Sequence, residues 1–217
     1  LGSRGLGDVY KRQQMRIVLF CCILLNTCVS LSWAKGIMLY VHNGKSVNQS
    51  YRYELEKEMQ KIDIDMIVYP IDVNRTVGEH TLRIDSIIRN YRENTDSLSI
   101  FMVTDKEASF VALDVLSKDT TIVALMTLSG TFCNGDDYFY NEASINKNMK
   151  MLDSVSFDNK KEQELRIAYK MISQAKQGKT FKQPKGTDEY MQDLFALLDS
   201  RYGRSLLELS LIHISEP

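Results

Sequence analysis

Two short stretches hold residues whose types and spacing could do chemistry: His42-Asn43-Gly44-Lys45-Ser46 and Thr104-Asp105-Lys106-Glu107. Gly-Lys-Ser between a strand and a helix suggests a phosphate loop, in which backbone amides cradle the phosphates and the lysine reaches over them. That loop needs another glycine five residues before Gly44, where Leu39 stands inside an apolar run, so the cradle has no room to form. In the second stretch Thr104 and Glu107 fit the S/T-x-x-E capping box, with Asp105 in the first turn, near the positive end of the helix dipole. A capped helix start accounts for these residues without any chemistry. His42 and His80 read as loop or packing residues rather than general bases, and the third histidine, His213, lies in the terminal tail. Cys133 has no histidine close in sequence, and no thiol nucleophile is expected. Gly135-Asp136-Asp137 with Glu142 could offer oxygen ligands to a hard cation, but the spacing matches no EF-hand loop and reads as a solvated acidic turn. No metal and no cofactor are expected. Asn48-Gln49-Ser50 and Asn74-Arg75-Thr76 fit the N-glycosylation pattern, which matters only in a eukaryotic source.

The elements that must position these residues alternate. Continuous apolar runs at Ile37–Val41, Met66–Ile71, Leu98–Val103 and Thr121–Leu128 read as strands covered on both faces. Between them Tyr51, Leu55, Met59 and Ile62 form one helical stripe. Ile84, Ile87, Ile88 and Tyr91 form a second, and Phe110, Val111, Leu113 and Leu116 a third. Strand and helix in alternation predict an α/β fold with a mainly parallel sheet flanked by helices. After Gly130 no further strand is expected. Helices are expected at Asn146–Val155, Lys160–Gln177 and Thr187–Leu198, giving a helical, cap-like segment after the sheet.

This order of parts resembles the α/β-hydrolase family, and most closely its exported dienelactone-hydrolase-like and peptidase-like members. His42-Asn43-Gly44 stands where those proteins carry a His-Gly loop that gives a backbone N–H to the oxyanion hole, with Asn43 inserted. Val123–Thr131, VALMTLSGT, resembles the strand and small-residue turn that follow the nucleophile helix. The resemblance spans Gly36 to Leu207 and implies the front half of a hydrolase sheet with a cap. It also implies a nucleophile elbow, Gly-x-Ser-x-Gly, after the third strand, and there the serine's position falls on Asp105. Val103 and Glu107 replace the space-giving glycines, so the elbow is expected to have relaxed. The acid and histidine that complete the family's triad are absent before the tail, as are the later strands, and the chain reads as truncated.

The expectation is therefore an exported hydrolase-family protein without serine-hydrolase activity, holding a small-molecule ligand or ester-like substrate. One alternative is an active hydrolase with Asp105 as an ester-forming nucleophile and His42–Gly44 as the oxyanion loop, completed by a missing C-terminal half. Another is a Rossmann-like binding domain unrelated to hydrolases. Strand order bears on the choice: a hydrolase sets the Ile37 strand beside the Leu98 strand, with the Met66 strand outside it.

Both ends read as foreign. Residues 1–14 and 210–217 resemble translated adapter read-through. Residues 15–34 carry Arg16, the apolar run Ile17–Leu25 and a closing Ser32-Trp33-Ala34, the pattern of a cleavable signal peptide. Asn26, Thr27, Ser30 and Ser32 interrupt it short of the roughly 20 apolar residues a spanning helix needs, so no stable membrane insertion is expected after cleavage. Lipidation at Cys28 is disfavoured because Asn26 and Thr27 precede it where small residues belong. Cleavage removes Cys21, Cys22 and Cys28 and leaves Cys133 alone, which allows no internal disulfide. The α/β core is then 35–130 and the helical region 131–209, about 175 residues, enough for one domain. A formal charge of −1, from 27 basic and 28 acidic residues, gives no footprint for nucleic acid. The expected location is periplasmic or secreted.

Overall fold

The computed structural model describes residues 36–44, 49–95, 98–130, 132–151, 159–184 and 186–209. The export segment, both tails with His213, and Lys45, Ser46, Asn48 and Thr131 lie outside them. Among the described residues are four strands: β1 (Gly36–His42), β2 (Ile64–Pro70), β3 (Ser99–Asp105) and β4 (Ile122–Leu128). All pair in parallel, in the order β2-β1-β3-β4. Helix α1 (Gln49–Gln60) joins β1 to β2, α2 (Val77–Glu93) joins β2 to β3, and α3 (Ser109–Lys118) joins β3 to β4. After the sheet come α4 (Gly135–Met151), α5 (Asn159–Lys176), α6 (Glu189–Asp199) and α7 (Arg201–Leu207). The chain is thus an α/β protein with a parallel sheet followed by a helical segment.

Side chains alternate along each strand, and the two faces bury different partners. Met38, Tyr40, Phe101 and Val103 pack with Leu55 and Met59 of α1. Ile37, Leu39, Val41, Ile100 and Met102 meet α2, α3 and the helical segment in the larger core. Both sets of β1 side chains are fully buried, so this strand reads as one apolar run. Each buried aliphatic side chain contributes about 1.5–3 kcal/mol, which makes β1 the axis of the domain.

The chain turns outward to β2 on one side of β1 and to β4 on the other side of β3. The loops leaving β1 and β3 therefore diverge, opening a crevice at the carboxyl ends of these strands, the usual ligand position in wound sheets. The Ile37 strand does lie beside the Leu98 strand, with the Met66 strand outside. Flavodoxin-like sheets share that order, so it serves the hydrolase and the Rossmann-like expectations equally.

Two expectations about the helical segment change. The residues expected to form a loop and acidic turn belong to α4, which begins at Gly135, well before Asn146, and buries Tyr138, Phe139 and Ala143. Helix α7 was not expected at all, and it carries Gly203 in its middle. A Cβ there would collide with the carbonyl of Leu197, so glycine is required by the close approach of α6 and α7. Ser200 caps α7 by accepting from the Gly203 N–H at 2.9 Å. The helix then docks on the core: the Tyr202 N–H donates to the Val73 carbonyl at 3.1 Å, and the Val77 N–H to Ser205 Oγ at 3.0 Å.

Candidate functional site at the carboxyl ends of β1 and β3

Strand pairing decides the conformation of the Thr104–Glu107 stretch. Thr104 pairs with Val41 on one side and Thr127 on the other, and Asp105 pairs with Leu128. The ladder therefore carries through Asp105, which is extended at φ −121° and ψ 130°. The chain reverses at Lys106, whose φ is +46°, and passes through a single 3₁₀ turn, Lys106–Ala108, into α3. Thr104 does not cap that turn. Its Oγ1 is fully buried with no hydrogen-bond partner among the described residues, as is Ser109 Oγ. The expected capping box is absent here because sheet pairing outcompetes one side-chain cap. Left-handed backbone costs an L-residue about 1–2 kcal/mol, so the turn is strained. That strain sits on Lys106, one residue beyond Asp105, in a Thr104-x-Lys106-x-Ala108 frame that keeps a small residue, Ala108, on the helix side.

Glu107 is the centre of the site, although its sequence context suggested only a cap. It is 6 % exposed and stands in the 3₁₀ turn just ahead of α3. Its Oε1 accepts from Asn43 Nδ2 at 3.0 Å and its Oε2 from the Tyr138 hydroxyl at 3.2 Å. The Tyr202 hydroxyl donates to its backbone carbonyl at 2.8 Å. One residue thus joins the loop after β1, α4 and α7. Burial raises the Glu107 carboxyl above the ordinary glutamate value; its hydrogen bonds and nearby Lys106 offset that only in part. Tyr138 is pushed up in turn, by burial first and then by the Glu107 charge.

The histidines are engaged in structure. His42 ends β1, where it accepts from the Gly44 N–H through Nδ1 at 2.9 Å and stacks on Tyr40 at 5.6 Å. Its pKa is lowered by burial, against the opposing charge of Asp105. The Gly44 N–H, which the hydrolase resemblance would aim at an oxyanion, is therefore taken by His42, and Gly44 turns the loop at φ +79°. His80 is in α2, fully buried, bonded through Nδ1 to the Tyr69 hydroxyl at 2.8 Å and through Nε2 to the Asp72 carbonyl at 3.0 Å. The structure brings His42, Asn43, Gly44 and Asp105 to one end of the sheet. Of these, only Asn43 also lines the cavity described next.

A cavity of about 330 Å³ lies between this end of the sheet and the helical segment. Its floor is Asn43, Lys106 and Glu107; α4 supplies Tyr138 and Glu142, and α6 supplies Tyr190, Asp193 and an apolar wall of Leu194 and Leu197. The Tyr190 hydroxyl donates to the Glu142 carboxylate, and burial raises its pKa. Asp136 forms an ion pair with Lys176 instead of facing a cation, and no metal-ligating cluster of His, Cys, Asp and Glu occurs among the described residues. No helix among them is long and apolar enough to cross a membrane. Sequence reasoning missed Glu107, Tyr138 and Tyr190. The available signal was a carboxylate just ahead of the largely apolar stretch Ala108–Val115.

Comparison with models of known protein families gives no match, and no curated protein is significantly similar to this chain.

Proposed function

We propose that this chain is an exported ligand-binding α/β protein of hydrolase descent, without serine-hydrolase chemistry, that holds a small molecule between the carboxyl ends of β1 and β3 and the helical segment. One observation carries the reading: the strained turn over the cavity presents Lys106, flanked by Asp105 and Glu107, where acyl transfer would need a hydroxyl activated by a base. The Nδ1 atom of His42 and both ring nitrogens of His80 are occupied within the fold. The cavity volume falls at the lower end of the range for small-molecule sites, about 300–1,000 Å³. Export through the Met15–Ala34 segment belongs to the same reading, which the pattern of Arg16, an apolar run and Ser32-Trp33-Ala34 supports.

The purified chain is expected to hydrolyse p-nitrophenyl acetate and butyrate no faster than buffer, with Asp105→Ala and Lys106→Ala unchanged. Ester hydrolysis abolished by Asp105→Ala would overturn the reading in favour of a carboxylate nucleophile.

A further inference from the structure

Glu107 presents a problem that the fold leaves unsolved. Glu107 is more than nine-tenths buried, yet the donors that reach its carboxyl, Asn43, Tyr138 and its own backbone N–H, are all neutral. Among the described residues no lysine or arginine forms an ion pair with it. A buried carboxylate served by neutral donors is costly, and the charge of nearby Lys106 offsets that only in part. The carboxyl lies on the wall of a ligand-sized cavity rather than in sealed core. Glu142 lines the same cavity, close enough that Tyr138 and Tyr190 each feel both carboxylates. The cavity's lining thus has two phenol rings, three acidic residues and one base, the exposed Lys106. An anion would meet repulsion there, and a neutral molecule would leave the buried carboxyl uncompensated.

We propose that the cavity selects an organic cation, a small ammonium group on an apolar body, with its nitrogen against Glu107 and Glu142, its flank on the Tyr138 and Tyr190 rings, and its hydrocarbon along Leu194 and Leu197. The proposal rests on the ligand-binding reading above and names the chemistry of that ligand. An ammonium donates up to three hydrogen bonds, which suits carboxylate acceptors, and aromatic faces attract it further. Compensating the carboxyl's charge also lowers its raised pKa, so cation and proton compete for Glu107. The groups facing it are Lys106 from its own turn, Asn43 from the β1 loop, Tyr138 and Glu142 from α4, Tyr190 and Asp193 from α6, and Tyr202 from α7. The three tyrosines, with raised pKa values, stay neutral through the working range. The proton a cation displaces is that of Glu107, the carboxyl whose pKa burial raises.

Calorimetric titration of the full chain with hexylammonium, hexanol and hexanoate, over a series of pH values and at low salt, tests this. Hexylammonium is expected to bind about 10–100-fold more tightly than either of the other two, the range for gaining charge-assisted hydrogen bonds. Its affinity should rise with pH through the raised Glu107 pKa, and within that range its heat should vary with the ionisation enthalpy of the buffer, reporting a released proton. In Glu107→Gln the preference and the proton release should both vanish. Glu142→Gln, at a half-buried position, should weaken the amine while keeping the proton release. Hexanol or hexanoate binding as tightly as hexylammonium would overturn the cation proposal and leave the ligand-binding reading standing. Failure of all three probes to bind, with Glu107→Gln unaltered in stability, would count against both.

Discussion

Glu107 sets the pH response at the scale of single residues. Its folded-state pKa is raised above the ordinary 4.5, so the folded state holds this proton more tightly than the unfolded chain does. The stability this gives is fully present below 4.5 and is lost as pH rises through the raised folded-state value. Relative to Glu107→Gln, the wild-type chain is expected to become progressively less stable as pH rises from 4.5 through the raised folded-state value, by urea unfolding of both proteins at each pH. Parallel profiles would mean that the carboxyl is solvated or paired. Lys106 gives an independent test, because its φ of +46° suits glycine better than any L-residue. Lys106→Gly should raise stability by about 0.5–1 kcal/mol, where Lys106→Ala should not, since alanine keeps the Cβ that makes this backbone costly.

Elements decide which local signals are used. The pattern Thr-x-x-Glu occurs at Thr76–Glu79 and again at Thr104–Glu107. At the first site it forms the complete capping box: the Glu79 N–H donates to Thr76 Oγ1 at 3.2 Å, and the Thr76 N–H donates to the Glu79 carboxylate at 2.7 Å. At the second, Thr104 is held in β3 by pairing on both sides, its hydroxyl is stranded, and the glutamate turns into the cavity. Opposite outcomes follow from removing the two hydroxyls. Thr76→Ala should cost about 1 kcal/mol, the usual price of a lost cap, in chemical denaturation. Thr104→Val, close in shape, should be neutral or stabilising by about 1 kcal/mol, because it removes an unsatisfied buried hydroxyl. A loss at Thr104 equal to that at Thr76 would show that the hydroxyl has a partner.

The whole molecule is a sheet closed at one end by helices, and its integrity depends on a few close approaches. The Gly135 N–H, at the start of α4, donates to the Leu209 carbonyl at 3.2 Å, and a Cβ at Gly135 would run into the Leu206 carbonyl of α7. Gly135→Ala is therefore expected to cost about 1–3 kcal/mol through overpacking and to lower the melting temperature by roughly 2–10 °C for a domain of this size. An unchanged melting temperature would mean that α7 is not seated on α4. Mass analysis of secreted material should give a mature chain that begins after Ala34; a chain retaining Met15 would argue against cleavage. By itself the sequence determined the parallel α/β core, since continuous apolar runs and helical stripes are properties of each segment and survive any arrangement. It also carried the four residues, His42 to Gly44 and Asp105, that meet at one end of the sheet, because loops after parallel strands must fall there. Only the tertiary structure decided the rest: that β3 extends through Asp105, that the strained turn falls on Lys106, that α4 begins as early as Gly135 and α7 exists, and that these helices bring Tyr138 and Tyr202 to Glu107. Strand pairing and burial join residues far apart in the chain, and a pattern four residues long carries no record of which neighbours will outbid it.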